Sequence, residues 1–273
     1  MTAIRTKNPE IMPPLAEDYE LLKTAVRDAG ALANSYFRRQ VEVHRKPDGS
    51  EVSEADLAVD AALKLDLTTR RKDYGWLSEE SPDDRTRLKH SRVWMIDPID
   101  GTSAFLRHNP EWTVSAALVE DGVPVLGVVF APAKDEFFHA LRGHGAFLND
   151  EPIHTSDKTT LEGATMIASG GLFKKKIWEE PWPEVTAQWV NSVAYRLALV
   201  ACGRGDATIS LSGKAEWDLA AAAVIMDEAG GITTDHHGNP HPYNRETPRF
   251  PSLVASGKAL HPLLIERTSR IDL

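Results

Sequence analysis

The chain has 273 residues, 42% of them hydrophobic and 26% charged, which is enough apolar material for one large domain or two modest lobes around a substantial core. A formal net charge of −9 excludes a general nucleic-acid or anionic-membrane binder, whose affinity comes from excess Lys and Arg. A single cysteine, Cys202, excludes an intrachain disulfide and a thiolate zinc cluster; with no apolar targeting segment at the start and no membrane-length apolar run, a cytoplasmic protein is expected.

Leu21, Leu22, Val26, Ala29, Leu32, Ala33 and Phe37 recur at helical spacing and predict a long amphipathic helix over 15–41. Ser53-Glu-Ala-Asp56 reads as a capping box opening a second helix, with Leu57, Ala61, Leu63 and Leu65 as its apolar positions. Strand-like runs follow at 75–77, 93–96, 114–119, 125–130 and 136–140, with 121–124 as a turn. Residues 170–189 lack regular periodicity and read as an inserted loop or short helix, with a lid over a substrate as the functional expectation. Beyond it come a helix at 195–202, a strand at 207–211, a helix at 218–228 stopped by Gly230-Gly231, strands at 232–234 and 252–256, and a terminal helix. Helices alternating with mixed strands imply an α+β architecture of layered sheets covered by helices. The expected lobes are 1–155 and 156–273, together forming one catalytic unit.

Three acidic segments lie at predicted element ends. Asp97-Pro-Ile-Asp100-Gly-Thr102 follows a strand, so two carboxylates emerge on a backbone stiffened by Pro98, as a hard cation such as Mg²⁺ requires of oxygen ligands. Gly101-Thr102 adds backbone amides able to cradle a phosphate. Leu77-Ser-Glu79-Glu80 ends an earlier strand, and Trp217-Asp218 opens a helix that runs to Asp227-Glu-Ala-Gly230-Gly231. Taken singly, these segments are also a turn, a solvated acidic loop and a helix N-cap.

Trp94-Met-Ile-Asp97-Pro-Ile-Asp100-Gly-Thr102 resembles the first signature of the inositol monophosphatase family, and Glu216-Trp217-Asp218 through Glu228-Ala-Gly-Gly231 resembles its second. Glu79-Glu80, Gly143-His-Gly-Ala-Phe147-Leu-Asn149 and Val52-Ser53-Glu-Ala-Asp56 fall in the expected order, so the similarity spans residues 50–256. The resemblance implies a layered αβαβα sandwich, Mg²⁺ dependence with about two or three ions, lithium sensitivity and a possible homodimer. It makes Glu79, Asp97, the Ile99 carbonyl, Asp100 and Asp218 metal ligands. Thr102 would activate the attacking water with Asp56, while the Gly101 and Thr102 amides hold the phosphate. Asp56 can serve both its capping box and Thr102 only if its two oxygens point differently.

The resemblance leaves the substrate open among small soluble phosphate esters, because one scaffold serves several chemistries. Leu211 stands where inositol-type members carry an acid for a ring hydroxyl. Arg196 stands at a position that is basic in bacterial members acting on bisphosphate nucleotides; it reads either as a ligand for a second phosphate or as a solvated helix residue. The favoured substrate is therefore a 3′(2′),5′-bisphosphate nucleotide, with inositol 1-phosphate as the alternative. A non-catalytic, RNA- or protein-binding member of the family is the rival from another class. His236, His237 and His241 read as a surface turn rather than a metal cluster.

Overall fold

The computed structural model describes residues 13–47 and 49–273, with side chains from residue 15 onward; residues 1–12, where no targeting segment was expected, lie outside the described residues. Helix α1 (Pro13–Tyr36) is followed by a hairpin of β1 (Val43–Arg45) and β2 (Glu51–Ser53), then by α2 (Glu54–Arg70). Helix α1 stops short of residue 41 because Arg38 adopts a left-handed conformation (φ 66°) immediately after the last helical bonds. The capping box of α2 forms as expected, but its buried face is Ala55, Val59, Leu63 and Leu67, whereas Leu57 and Leu65 are exposed.

Seven strands form the larger sheet: β3 (Gly75–Ser78), β4 (Arg92–Asp100), β5 (Thr113–Glu120), β6 (Val123–Ala131), β7 (Glu136–Leu141), β8 (Ala146–Leu148) and β9 (Glu151–Pro152). They lie side by side in chain order, β3 parallel to β4 and the rest antiparallel. The turn between β5 and β6 is Asp121-Gly122 alone, since Val123 and Pro124 already pair as strand residues. Between β4 and β5 lies the short helix α3 (Thr102–Leu106). Next in the chain are β10 (Ala164–Met166), β11 (Val185–Ala187), α4 (Val193–Ala201), β12 (Ala207–Ser210) and β13 (Lys214–Ala215). Helix α5 (Glu216–Glu228), β14 (Gly231–Thr234), β15 (Arg249–Phe250), β16 (Leu253–Gly257) and α6 (His261–Thr268) complete the chain. The second sheet has the order β11-β10-β12-β16-β14, and β13 pairs with β15.

Strand alternation explains the layering. On β4, Trp94 and Ile96 pack with Leu22, Val26, Val59 and Leu63 of α1 and α2, while Val93 and Met95 face the other way into a core shared with α4 and α5. That middle core also receives Leu253 and Ala255 of β16, and Val254, on the opposite face of the same strand, packs with Leu260 and Leu264 at α6. The result is the helix–sheet–helix–sheet–helix sandwich implied by the resemblance. Helix α5 is nearly all alanine where it meets the sheet (Ala220 to Ala223), and a Cβ added at Gly127 of β6 would lie 2.2 Å from the Ala221 carbonyl oxygen. The helix therefore rests directly on the strand backbone.

Two sequence expectations are refined. Residues 170–182 are not a lid over the acidic cluster, although Trp189 at the end of the segment stands over Arg196. Phe173, Trp178 and Trp182 pack with the outer core, the Arg267 guanidinium donates to the Glu180 and Pro181 carbonyls, and Arg270 pairs with Glu179, so the segment is a strap on α6. Residues 236–237 form the expected turn with His237 exposed, but His236 and His241 are tied to Ser252 beneath it. His236 is buried, with Nδ1 2.7 Å from the Ser252 hydroxyl, and the His241 Nε2–H donates to the Ser252 carbonyl.

Candidate active site

The acids at three element ends converge. Asp97, two-thirds along β4, is buried, and its Oδ1 accepts the Ile99 amide at 3.1 Å in a local turn that matches the break in β4–β5 register between Asp97 and Asp100. Glu79, just past β3, and Asp218, in the first turn of α5, each bring a carboxylate oxygen within 4.8 Å of one from Asp97. Asp100 lines the same cavity of 350 Å³, but its Oδ2 is taken by the Ser192 hydroxyl and the Ala194 amide, both at 2.6 Å. That oxygen anchors the N-terminus of α4, which leaves Oδ1 as the oxygen with capacity for another ligand.

Asp56 divides its oxygens as its two expected roles would require. Oδ2 accepts from the Ser53 amide at 2.8 Å and the Ser53 hydroxyl at 2.5 Å, while Oδ1 lies 3.0 Å from the Thr102 hydroxyl. The Thr102 hydroxyl also lies 3.1 Å from the Ile99 carbonyl, so the expected water activator, its partner and a backbone ligand meet at one point. Gly101 precedes α3 with φ 95°, and a Cβ there would crowd the Glu111 carbonyl and the Ser192 amide at 3.2 and 3.3 Å. Only glycine sits easily at this turn, and Gly101, Thr102 and Ser103 all line the cavity.

The electrostatics call for a cation. Burial, then the charges of Glu79, Asp100 and Asp218, push the Asp97 carboxyl well above the usual carboxylate range. Burial with Asp100 and Glu79 lifts Asp218 to about 7, and burial raises Asp100 and Asp56. Without a counter-ion such crowded acids favour protonation; a bound divalent ion reverses that preference. The donor set, hard carboxylate oxygens with a backbone carbonyl, fits Mg²⁺. Sequence reasoning did not single out Lys46, at the turn of the β1–β2 hairpin, although its ammonium bridges Glu79 and Glu80 at 2.8 Å each. A native cation is thus already seated against Glu79 of the cluster and its neighbour Glu80, and Glu80 is nevertheless raised to about 7 by burial, with Lys46 opposing. The sequence carried no signal for Lys46, because the loop containing it has no periodicity.

Arg196 is buried, which corrects its reading as a solvated helix residue. Its Nε–H donates to the Val190 carbonyl at 2.6 Å and an Nη2–H to the Asn191 carbonyl at 3.2 Å, and the guanidinium lies 4.1 Å from the centre of the exposed Trp189 ring. Burial lowers its pKa, against the pull of Asp100 and Asp218. Lys214 of β13, also unremarked in the sequence, lies within the field of the same two acids. Leu211 packs with the outer core. Glu216 is fully buried and accepts the Asn244 and Arg245 amides at 2.7 and 3.1 Å, which fixes the start of α5 and so the place of Asp218. At the other end of α5 the Glu228 carboxylate accepts the Gly143 and Gly145 amides, both at 2.8 Å, joining two segments that carry the resemblance at separate places in the chain.

Comparison with known proteins agrees with this geometry. The family model described as "Inositol monophosphatase family" matches residues 15–273. The "Nus factor SuhB" of Xylella fastidiosa is 33% identical over 229 residues, covering 80% of this chain and 82% of that protein. A "3′(2′),5′-bisphosphate nucleotidase CysQ" of Aggregatibacter actinomycetemcomitans is 32% identical over 228 residues, 80% and 84% of the two chains. The solved structure of an IMPase from Thermotoga maritima superposes with a TM-score of 0.80 at 29% identity, covering 92% of this chain and 96% of that one. The converging acids, the αβαβα layers and these matches together show that the chain belongs to the inositol monophosphatase family, whose members are phosphoric monoester hydrolases.

Proposed function

We propose that this phosphatase is Mg²⁺-dependent and hydrolyses a small bisphosphate nucleotide in preference to inositol 1-phosphate. The observation that carries the metal dependence is the triangle of Glu79, Asp97 and Asp218 oxygens facing the Thr102–Asp56 pair. Held by these acids, Asp100 and the Ile99 carbonyl, Mg²⁺ supplies Lewis acidity and a lower pKa for bound water.

The chain's own residues then do the following. The Gly101 and Thr102 amides orient the scissile phosphate, and the Thr102 hydroxyl positions the attacking water in line with it. Thr102 accepts the water proton on its oxygen while passing its own to Asp56 Oδ1. Asp56 suits this relay because burial raises its affinity for a proton, whereas the Ser53 contacts clamp the other oxygen and fix the carboxylate's direction.

Three features support the substrate preference. Trp189 is 56% exposed beside Asn191, which lines the cavity, and offers a flat face for a base. Arg196 and Lys214 add positive charge beside Asp100 and Asp218. The side chain at 211 is apolar and turned into the core, so no acid at that position awaits a cyclitol hydroxyl. Arg196 spends two of its N–H donors on backbone carbonyls, and Lys214 donates to the Ser212 hydroxyl and the Gly213 carbonyl, so each keeps a donor for a second phosphate. The test is phosphate release from 3′-phosphoadenosine 5′-phosphate, inositol 1-phosphate, fructose 1,6-bisphosphate and histidinol phosphate, each with and without Mg²⁺. The reading expects the highest kcat/KM on the nucleotide and none without metal. Faster turnover of inositol 1-phosphate removes the substrate assignment, and metal-independent turnover removes the mechanism.

A further inference from the structure

Three polar side-chain atoms that are buried and lack a partner among the described residues belong to neighbours around one cavity: Thr233 Oγ1, His241 Nδ1 and the Tyr243 hydroxyl. The cavity has a volume of 560 Å³ and lies between the Asp121-Gly122 turn, the C-terminal half of α5 and residues 240–243. It is remote from the acidic cluster. Asp218 and Asp227 mark the two ends of α5, nine positions apart and therefore about 14 Å along the helix axis, and the Asp121 turn is at the opposite end of β5 from the strand residues that pair with Asp97 and Asp100. None of the residues assigned to phosphate hydrolysis lines it.

The orphan atoms define what would fit. His241 Nε2–H donates to the Ser252 carbonyl, so the ring is held in the tautomer that leaves Nδ1 as an acceptor. Burial lowers the His241 pKa, which keeps the ring neutral. Tyr243 offers a donor and Thr233 a hydroxyl able to do either. Burying such groups unpaired is costly, and the usual resolution is a ligand or ordered water. Val123, Pro124, Val224 and Pro242 supply apolar walls. Asp121 and Asp227 outweigh Arg142, all three exposed, so the lining disfavours an anion. The volume falls within the range of small-molecule sites.

We propose that this cavity is a second ligand site, and that it takes a neutral, flat heteroaromatic molecule of nucleoside size. A ring N–H or exocyclic amine would donate to His241 Nδ1, a ring nitrogen or carbonyl would accept from Tyr243, and hydroxyl groups would reach Asp227. The site is independent of whichever phosphate ester the acidic cluster hydrolyses.

A ligand-observed NMR titration of the full chain tests this, with adenosine as the probe and glucose as a control that shares its hydroxyls and lacks the ring. The titration is run in EDTA, so that the acidic cluster holds no metal. One saturable adenosine site of millimolar affinity or tighter is expected, with no glucose site. Asp97→Asn should leave that affinity unchanged, and Tyr243→Phe should weaken it about twofold to tenfold, the worth of one neutral hydrogen bond. Should Tyr243→Phe fail to fold, Thr233→Val removes a hydroxyl from the same wall and carries the same expectation. Lack of saturation with adenosine would mean that only water satisfies these groups and would overturn the proposal. Binding that is lost in Asp97→Asn, or that is indifferent to both wall variants, would place adenosine elsewhere and overturn it equally.

Discussion

Asp97→Asn should have opposite effects on activity and on the stability of the metal-free protein. Asn is nearly isosteric, and its side-chain oxygen can keep the 3.1 Å contact with the Ile99 amide, so the local turn survives. What disappears is a buried charge facing Glu79, Asp100 and Asp218. Because the folded pKa is raised, the unfolded carboxylate ionises at lower pH than the folded one; Asp97 thus penalises folding above its unfolded pKa, and most of all above its folded pKa. Each pKa unit corresponds to about 1.4 kcal/mol, so removing this charge should stabilise the metal-free protein at pH 8, by about that much for every unit of the rise. At pH 4, near the unfolded pKa, the folded carboxyl is protonated and the unfolded one about half so, and most of the difference should vanish. Activity should fall ~10³-fold or more, since a ligand central to the cluster is lost. Urea titrations in EDTA at pH 8 and pH 4, beside phosphate-release assays at saturating Mg²⁺, measure both effects. A variant that is less stable than wild type at pH 8 in EDTA, or that keeps near-normal turnover, would refute the electrostatic argument.

In the wild type, Mg²⁺ at a hundred times its Kd should stabilise the fold by about 2.7 kcal/mol, visible as a rise in melting temperature that Asp97→Asn abolishes. Millimolar Li⁺ should inhibit turnover; indifference to tens of millimolar Li⁺ would count against the inhibition that the family resemblance implies. Thr102→Ala should lower kcat by about 10²–10⁴-fold with little change in KM, and Thr102→Ser should restore much of it; a KM effect alone would assign Thr102 to binding. Lys214→Met should raise KM for the bisphosphate nucleotide by ~10-fold and leave mononucleotides almost unchanged, since hydrogen bonds to charged groups are worth about 1.5–3 kcal/mol. Arg196→Ala should instead affect both substrates and lower stability, because it deprives the Val190 and Asn191 carbonyls of their donors.

The long elements were legible because their periodicity is enforced by burial on defined faces: β4 to β7 and α5 each carry enough apolar residues to declare themselves. Strands β1, β10 and β11 have three residues each, and β1 is wholly exposed, so no pattern of alternation could reveal them. The acids of the cluster were legible as motifs, but the division of labour between the two oxygens of Asp56 and of Asp100 was not. That division depends on Ser53 being next to its own helix and on Ser192 arriving 92 residues later in the chain. Arg196 shows the limit most clearly. Its charge lies beside Asp100 and Asp218, yet its hydrogen bonds go to backbone carbonyls five and six residues before it, which only the folded loop determines.

The contact between Gly127 and Ala221 makes α5 a spacer of fixed thickness. Asp218 belongs to this helix and Asp97 to the sheet, so the gap between those carboxylates is set by how closely a helix can approach a strand with no side chain intervening. One methyl group at position 127 would lift the helix and widen the cluster without altering any of its acids. The tolerance of the catalytic centre is therefore written partly in residues that never meet the substrate, and a search for inactivating substitutions confined to the cavity wall would overlook the backbone pair that gauges it.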